Sequence, residues 1–203
     1  ATAMGDYIRR TQDIEGTITE NLERAIDLVQ NFKYAAVDRI DGNARKHNLK
    51  KFTNRLVGSM SAEFQRNQVE CLVTIPGEIE ITTYGSDLSQ VITNLIMNAC
   101  VHAFKGIENR KILVQASLFD DGVLLSVKDN GVGVEANIRD RVFDPFVTTK
   151  RHQGSTGLGM NIVYNQVVNA LEGQIDLNCP EAGGTEWKVH LPIELTQHGQ
   201  HAG

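Results

Sequence analysis

The stretch Asn94-Leu-Ile-Met-Asn-Ala-Cys-Val-His102 places three polar side chains at intervals of four along an otherwise apolar segment. Residues four apart lie on the same side of a helix, so Asn94, Asn98 and His102 are predicted to form one polar stripe. The opposite stripe has the spacing of a buried helix face and consists of Leu88, Val91, Ile92, Leu95, Ile96 and Ala99. A buried helix that carries amides and an imidazole in register favours a binding site.

Three glycine-bearing segments further along the chain indicate what is bound: Asp129-Asn-Gly-Val-Gly133, Gly154-Ser-Thr-Gly-Leu-Gly159 and Gly183-Gly-Thr185. Backbone N–H groups converge on phosphates at glycine-rich turns and at helix N-termini. The second segment runs into a predicted helix, but no Gly-Lys-Ser/Thr follows as in a P-loop. No strand leads directly into it as in a dinucleotide-binding unit. The combination therefore points to a nucleotide site of another kind.

Each of these features, taken alone, also has a purely structural explanation. Gly154–Gly159 could be a plain turn and helix cap, and Asp129 could be the first residue of a turn-forming Asp-Asn-Gly. Asn98 could be a surface amide and His102 a capping or buried histidine. The functional interpretation of Asp129 is a carboxylate that accepts a hydrogen bond from the exocyclic amine of adenine, which guanine cannot supply. The polar helix and the three glycine-bearing segments are each weak signals, but they follow one another over about 90 residues. Their occurrence together in this order favours the functional interpretation.

Composition excludes several classes of protein. The chain has 203 residues, of which 41% are hydrophobic and 22% charged, enough for the core of one medium domain. A net charge of −5 argues against a general nucleic-acid binder. No apolar run approaches the ~18 residues of a membrane span, and no signal-peptide pattern opens the chain. Cys71, Cys100 and Cys179 are odd in number and lack C-x-x-C spacing, so we expect reduced thiols in a cytoplasmic protein without zinc.

Helical and strand periodicities divide the chain. Residues 6–38 carry a bundle-like seam, formed by Ile18, Leu22, Ala25, Val29, Phe32 and Ala36. Residues 39–51 are predicted to be a connector. The remaining pattern predicts helices at 52–65 and 158–171, a helix capped by Ser86 or Asp87, and a long loop at 130–155. Strands are predicted at 69–75, 79–84, 174–178 and 186–191, with a hairpin formed by 112–118 and 123–128.

The chain resembles the catalytic ATP-binding domain of bacterial sensor histidine kinases, of the GHKL (Bergerat-fold) superfamily. Asn94–His102 matches the N box, Asp129–Gly133 the G1 box, Phe143–Lys150 the F box, Gly154–Gly159 the G2 box and Gly183–Thr185 the last glycine motif. The match spans about 48–192, and Arg24–Lys33 resembles the second helix of the kinase dimerisation bundle. The resemblance implies an α+β fold, a two-layer α/β sandwich whose mixed sheet is covered by helices, preceded by a long N-terminal helix. It divides the chain into a partial dimerisation helix and linker at 1–45, a catalytic domain at 46–194 and a flexible tail at 195–203.

The resemblance also implies ATP and Mg²⁺ as cofactors and a role for each matching residue. Asn98 would bind Mg²⁺ through a neutral oxygen, Asn94 would position the metal or its waters, and His102 would contact phosphate. Asp129 would bind the adenine amine, with Gly131 and Gly133 allowing close approach of the backbone. Phe143 and Phe146 would anchor a lid formed by Thr148 to Gly159, which includes Gly157 and Leu158. Lys150 or Arg151 would neutralise phosphate charge from that lid, and Thr185 would join the hydrogen bonds near adenine.

Asn94 decides between two reaction types. Related ATPases of gyrase-type topoisomerases and mismatch-repair proteins have a glutamate at this position as the general base for water. An amide cannot accept a proton usefully, so the sequence favours phosphoryl transfer to a protein side chain over hydrolysis. The alternatives are a related ATPase or serine-directed kinase of the same superfamily, and a non-catalytic interaction module.

The phosphoacceptor of the family is not found in this sequence. In the family, a histidine on the first bundle helix precedes an acidic residue, and none of the six histidines here is followed by Asp or Glu. We therefore expect a fragment that begins near the second bundle helix, binds ATP and does not phosphorylate itself. The expected partners are the phosphoacceptor helix of the same kinase, a response regulator receiver domain and, in the full-length protein, a second copy of the kinase. No nucleic acid partner and no direct membrane contact by this fragment are expected.

Overall fold

The computed structural model describes residues 43–148, 157–181 and 183–195. Apart from Thr148 and Gly157, these residues belong to one compact unit. The helix predicted within residues 6–38 lies outside the described residues, so it remains a prediction together with the proposed domain boundaries. Leu195 is buried and its N–H donates to the Thr82 carbonyl at 3.2 Å; the rest of the predicted tail is also outside the described residues.

The described residues form five α-helices and seven strands. The helices are α1 (Leu49–Ser59), α2 (Ser61–Asn67), α3 (Gly85–Asn98), α4 (Ala136–Arg139) and α5 (Gly159–Asn165). The strands are β1 (Arg45–Asn48), β2 (Val69–Thr74), β3 (Glu80–Thr83), β4 (Arg110–Phe119), β5 (Gly122–Asp129), β6 (Gln174–Asn178) and β7 (Thr185–Pro192). Helices α3 and α5 each continue into a π-helical turn, Ala99–Ala103 and Gln166–Ala170 respectively.

The main sheet has five strands in the order β2-β4-β5-β7-β6. Strands β2 and β4 are parallel and the other neighbours are antiparallel, while β1 and β3 form a separate antiparallel pair. The predicted hairpin is confirmed: β4 and β5 pair antiparallel, and Phe119 lies opposite Gly122. The mixed sheet packed with helices confirms the α+β fold class.

Helix α3 lies in the middle of the core, as its apolar stripe predicts. Leu88, Val91, Ile92, Leu95 and Ile96 are fully buried. They belong to the same hydrophobic cluster as one face of the sheet, whose buried members include Ile112, Val114, Leu125, Trp187 and Val189. Alternate residues along β7 are buried and half-buried, the pattern of a strand with one face on the core.

Four local predictions are wrong. The long loop predicted at 130–155 contains a short helix, α4, at Ala136–Arg139. Residues 39–51 are not simply a connector, because β1 occupies Arg45–Asn48 and α1 begins at Leu49 with the Asn48 side chain capping the N–H of Lys51 at 3.0 Å. The helix predicted at 52–65 is interrupted at Met60, which ends α1 and precedes α2. Neither Ser86 nor Asp87 caps α3, because the helix begins at Gly85 and both residues already lie in its first turn.

Candidate nucleotide-binding site

Three segments that are distant in sequence meet at one end of β5. The Val132 N–H donates to the Ala103 carbonyl at 2.9 Å, and the Gly184 N–H donates to the Gly131 carbonyl at 2.8 Å. No side chain would fit at Gly131, because its Cβ would clash with the Ala103 carbonyl, or at Gly184, because its Cβ would clash with the Asp129 carbonyl. Gly184 also has φ +85°, a conformation that favours glycine. The end of the polar helix, the first glycine turn and the last glycine turn are therefore packed backbone to backbone.

Asp129 is the carboxylate at this junction. It is the last residue of β5, lies opposite Thr185 of β7, and is 5% exposed. Its Oδ1 accepts from the Gly131 N–H at 2.8 Å and from the Thr185 N–H at 3.2 Å. Burial raises the pKa of Asp129, while these hydrogen bonds and one with the Thr185 side chain act in the opposite direction. The carboxylate is thus fixed in orientation and largely removed from water.

The two asparagines of α3 differ in their surroundings. The Asn94 Oδ1 accepts from the Gln90 side chain at 3.0 Å, whereas the Asn94 Nδ2 is buried and has no hydrogen-bond partner among the described residues. Asn98 is half-buried, and its Oδ1 lies 3.9 Å from the position that a Cβ on Gly159 would occupy. The start of α5 therefore lies beside Asn98.

His102 departs from the simple four-residue stripe. Asn94 and Asn98 are in the α-helical part of the segment, but His102 is in the π-helical turn Ala99–Ala103. A π turn closes i→i+5 hydrogen bonds, so a spacing of four residues does not return to the same face there. His102 is half-buried at the end of the segment.

The F-box residues differ in burial. The Phe143 ring is half-buried, with ring centroids 5.2 Å from Tyr164 and 5.9 Å from Trp187. Phe146 is 61% exposed and has φ +66°. Among the glycines of the predicted site, Gly133 has φ +78° and Gly157 has φ +68°. Leu158 directly precedes α5. Residues 149–156, which include Lys150, lie outside the described residues and are bordered by Thr148 and Gly157.

Two residues that shape the junction were missed by sequence reasoning. Ala103 supplies the carbonyl on which the first glycine turn rests, and Trp187 supplies a wall for Phe143. Trp187 is the single tryptophan of the chain and lies two residues after Thr185, a signal that could have been used. Nothing in the local sequence marks Ala103, because its role depends on a contact across 29 residues of chain with Val132.

The described residues fit a magnesium nucleotide better than a metal held by protein ligands alone. No cluster of three or more His, Cys, Asp or Glu that could hold a metal ion occurs in the described part of the chain. Mg²⁺ usually keeps several waters and is bound through one or two protein oxygens plus substrate phosphates. The single amide oxygen of Asn98, with the unpaired Nδ2 of Asn94 one turn before it, suits that mode of binding.

A family model described as "histidine kinase-, DNA gyrase B-, and HSP90-like ATPase" matches residues 83–195, more than half of the chain. The chain belongs to this ATPase family. This membership confirms ATP as the nucleotide and confirms the resemblance to the ATP-binding domain of sensor histidine kinases. The matched region of the ATPase domain contains Asn94, Asn98, Asp129 and Thr185.

Individual relatives agree with the family. The sensor protein kinase WalK of Staphylococcus aureus is 28% identical over 188 residues, which cover 89% of this chain and 44% of WalK. The probable sensor histidine kinase TcrY of Mycobacterium tuberculosis is 37% identical over 126 residues, which cover 60% of this chain and 24% of TcrY. The histidine kinase ThkA, in its complex with the response regulator protein TrrA, shares the fold with a TM-score of 0.69 at 19% identity, over 93% of this chain and 56% of that chain.

The chain spans less than half the length of the two curated relatives. No helix among the described residues of the ATPase domain is long and apolar enough to cross a membrane.

Proposed function

We propose that this chain is the catalytic ATP-binding part of a sensor histidine kinase, which transfers the γ-phosphoryl group of ATP to a histidine on a separate acceptor helix. The observation that carries the proposal is the buried Asp129 carboxylate, held by the Gly131 and Thr185 N–H groups at the meeting point of the polar helix and two glycine turns. Family membership supports the same activity.

Asp129 is the proposed adenine-binding residue. A carboxylate has about four lone-pair positions on two oxygens. The backbone N–H groups of Gly131 and Thr185 both bind Oδ1, which leaves capacity for a further donor such as the exocyclic amine of adenine. Because Asp129 is shielded from water, that hydrogen bond gains strength and discriminates against guanine.

Asn98 is the proposed metal ligand. Its neutral amide oxygen is a hard donor of the kind that Mg²⁺ accepts, and Gly159, which has no side chain, lies beside it. When bound, Mg²⁺ would neutralise charge on the phosphates during transfer. Asn94 would donate its unpaired Nδ2 toward the phosphates or their waters, which would satisfy a buried polar atom.

Asn94 also supports transfer over hydrolysis. A general base for water must accept a proton, and the Asn94 Oδ1 is both an amide oxygen and already engaged by Gln90. The residue can position groups but cannot activate water. In a kinase of this kind positioning and charge stabilisation supply most of the catalysis, and the nucleophile comes from the acceptor.

The proposed partners follow from the kinase assignment. The acceptor helix would belong to the same full-length kinase, which we propose to be a homodimer. The phosphoryl group would pass on to a response regulator receiver domain. ThkA, which shares the fold, is seen in complex with the response regulator protein TrrA, and this supports the second partner.

Phosphoryl transfer to a bundle supplied in trans tests the proposal. The chain is incubated with Mg-ATP and a dimerisation bundle that carries the acceptor histidine, and the phosphate on the bundle is tested for stability. We expect a phosphate that is labile to acid and stable to base, absent with Asn98→Ala and absent when the acceptor histidine is replaced by glutamine. An acid-stable phosphate, or release of inorganic phosphate without any transfer, would contradict the assignment.

A further inference from the structure

We propose that Asn161 of helix α5 is a positioning residue: its side-chain amide fixes the main chain at Phe143 and so sets the turn that follows Phe143 relative to the nucleotide site. The effect on nucleotide binding rests on the function proposed above, whereas the effect on the turn does not.

The decisive contact joins a helix side chain to a carbonyl 18 residues earlier. The Asn161 Nδ2 donates to the Phe143 carbonyl at 2.9 Å in a partly buried position. The Asn161 Oδ1 in turn accepts from the Asn165 Nδ2 at 3.3 Å, and the Asn165 Oδ1 accepts from the Asn169 Nδ2 at 3.5 Å. Because Asn165 donates to its oxygen, the amide of Asn161 is oriented with its nitrogen toward Phe143.

Local helix chemistry does not explain Asn161. Asparagine is a poor helix former within a helix and is favoured at the N-cap position, which Leu158 occupies here. Helix α5 has no side-chain cap, and Asn161, in its first turn, directs its donor away from the helix and toward Phe143. The long-range contact therefore accounts for a residue type that the helix itself disfavours.

Phe143 is held in two different ways. Its ring packs against Tyr164, one turn after Asn161 on α5, and against Trp187 of β7. Ring contacts tolerate sliding and rotation, whereas a hydrogen bond is directional and fixes the main chain. The next three residues, Asp144, Pro145 and Phe146, are exposed. The Asp144 N–H donates back to the Arg141 carbonyl at 3.0 Å. Asn161 adds a separate main-chain contact, at the Phe143 carbonyl, immediately before these exposed residues.

The start of α5 connects this anchor to the nucleotide site. Gly159, two residues before Asn161, is close to Asn98, the proposed metal ligand: a Cβ at Gly159 would lie 3.9 Å from the Asn98 Oδ1. The first turn of one helix thus lies beside Asn98 at Gly159 and holds the Phe143 turn at Asn161. A change in this anchor would shift the turn relative to the residues that bind phosphate and metal.

Two substitutions separate a hydrogen-bonding role from a packing role. Asn161→Asp keeps the size of the side chain and the acceptor for Asn165, but it sets a carboxylate oxygen against the Phe143 carbonyl. Asn161→Ala removes the bond without adding repulsion, at the cost of lost packing. Asn169→Ala is the matched control, because it removes an asparagine from the same helical segment that donates to Asn165 rather than to Phe143.

Amide hydrogen exchange in the nucleotide-free chain is the first measurement. We expect exchange at Asp144 and at residues 146–148 to rise roughly three- to tenfold with Asn161→Ala, the factor for loss of one hydrogen bond, and further with Asn161→Asp. Exchange in the β4–β5 hairpin should not change, and Asn169→Ala should match the parent. Parent-like exchange in both Asn161 variants, or a larger effect of alanine than of aspartate, would overturn the inference.

Calorimetry with Mg-ATP is the second measurement. The affinity should fall several-fold in the same order, parent and Asn169→Ala first, then Asn161→Ala, then Asn161→Asp. An unchanged affinity with altered exchange would overturn the link to the nucleotide site. Failure of the parent itself to bind Mg-ATP would instead contradict the proposed function and leave the exchange result standing as the test of the anchor.

Discussion

The Asp129 side chain is buried, and two backbone N–H groups hold its carboxylate in one orientation. Replacing one carboxylate oxygen by an NH₂ group, in Asp129→Asn, tests the role of this residue. In Asp129→Asn the Oδ1 can still accept from the Gly131 and Thr185 N–H groups, so the fold should be retained. The second oxygen becomes an NH₂ group, which opposes the adenine amine but can donate to the guanine carbonyl. Calorimetry should show ATP affinity reduced by at least about tenfold and the preference for ATP over GTP reduced or reversed. Equal ATP affinities in parent and variant would remove the adenine-binding role.

The same residue should impose a pH dependence on stability. Burial raises the pKa of Asp129 above its ordinary value of 3.8, so folding favours the protonated carboxyl. Its contribution to stability is therefore complete below the unfolded pKa and is lost as pH rises through the higher folded pKa. An asparagine side chain does not titrate, so urea unfolding between about pH 4 and 7 should show the Asp129→Asn variant gaining stability relative to the parent as pH rises. A constant difference, or one of opposite sign, would contradict this assignment of the pKa shift.

At the scale of elements, the junction between the π-helical turn and the first glycine turn depends on the absence of a side chain at residue 131. Gly131→Ala would bring a Cβ against the Ala103 carbonyl, and relieving that contact should cost about 1–3 kcal/mol of unfolding free energy. Gly77→Ala is the control, because a Cβ there has nothing within 4 Å, and it should change stability by less than about 0.5 kcal/mol. Chemical denaturation measures both. Similar losses in the two variants would show that the close packing at residue 131 is not what matters.

Elements with strong periodicity could be predicted from the sequence, and those without it could not. The buried stripe of α3 and the β4–β5 hairpin follow from apolar spacing and from the Asp120-Asp121-Gly122 turn. Strand β1 could not be recognised, because Arg45–Asn48 is short and entirely polar and pairs only with the distant β3. The π-helical turn of Ala99–Ala103 has no sequence signal of its own, and its Ala103 carbonyl accepts from the Val132 N–H of the distant glycine turn.

In the candidate site, too, some features could be predicted from the sequence and others could not. The motifs identified Asp129, Gly131 and Thr185, and the structure brings them together through the pairing of β5 and β7. The engagement of Asn94 by Gln90 and of Phe143 by Asn161 could not be predicted, because each depends on side-chain orientations in the packed domain. The position of His102 was predicted from α-helical spacing and is altered by the π turn.

For the whole molecule, nucleotide binding should be linked to stability. A ligand that binds only the folded chain stabilises it by about 2.7 kcal/mol when its concentration is about one hundred times the dissociation constant. We expect Mg-ATP to raise the thermal midpoint, and to raise it less in Asp129→Asn at the same concentration. Trp187 is the single tryptophan of the chain, and its ring centroid lies 5.9 Å from that of Phe143. Its fluorescence provides a signal for this measurement. A midpoint that does not change over a range of Mg-ATP concentrations would contradict binding to the folded state.

The most direct test of the central claim is a two-dimensional NMR titration of the chain with Mg-ATP. The claim is that residues from α3, the first glycine turn and the last glycine turn surround one nucleotide. The amides of Asn98, Gly131, Gly133 and Thr185 should therefore shift together and fit one dissociation constant. Shifts that are absent, that fit different constants, or that fall only at residues remote from this junction, such as Lys51 and Arg55 of α1, would contradict it.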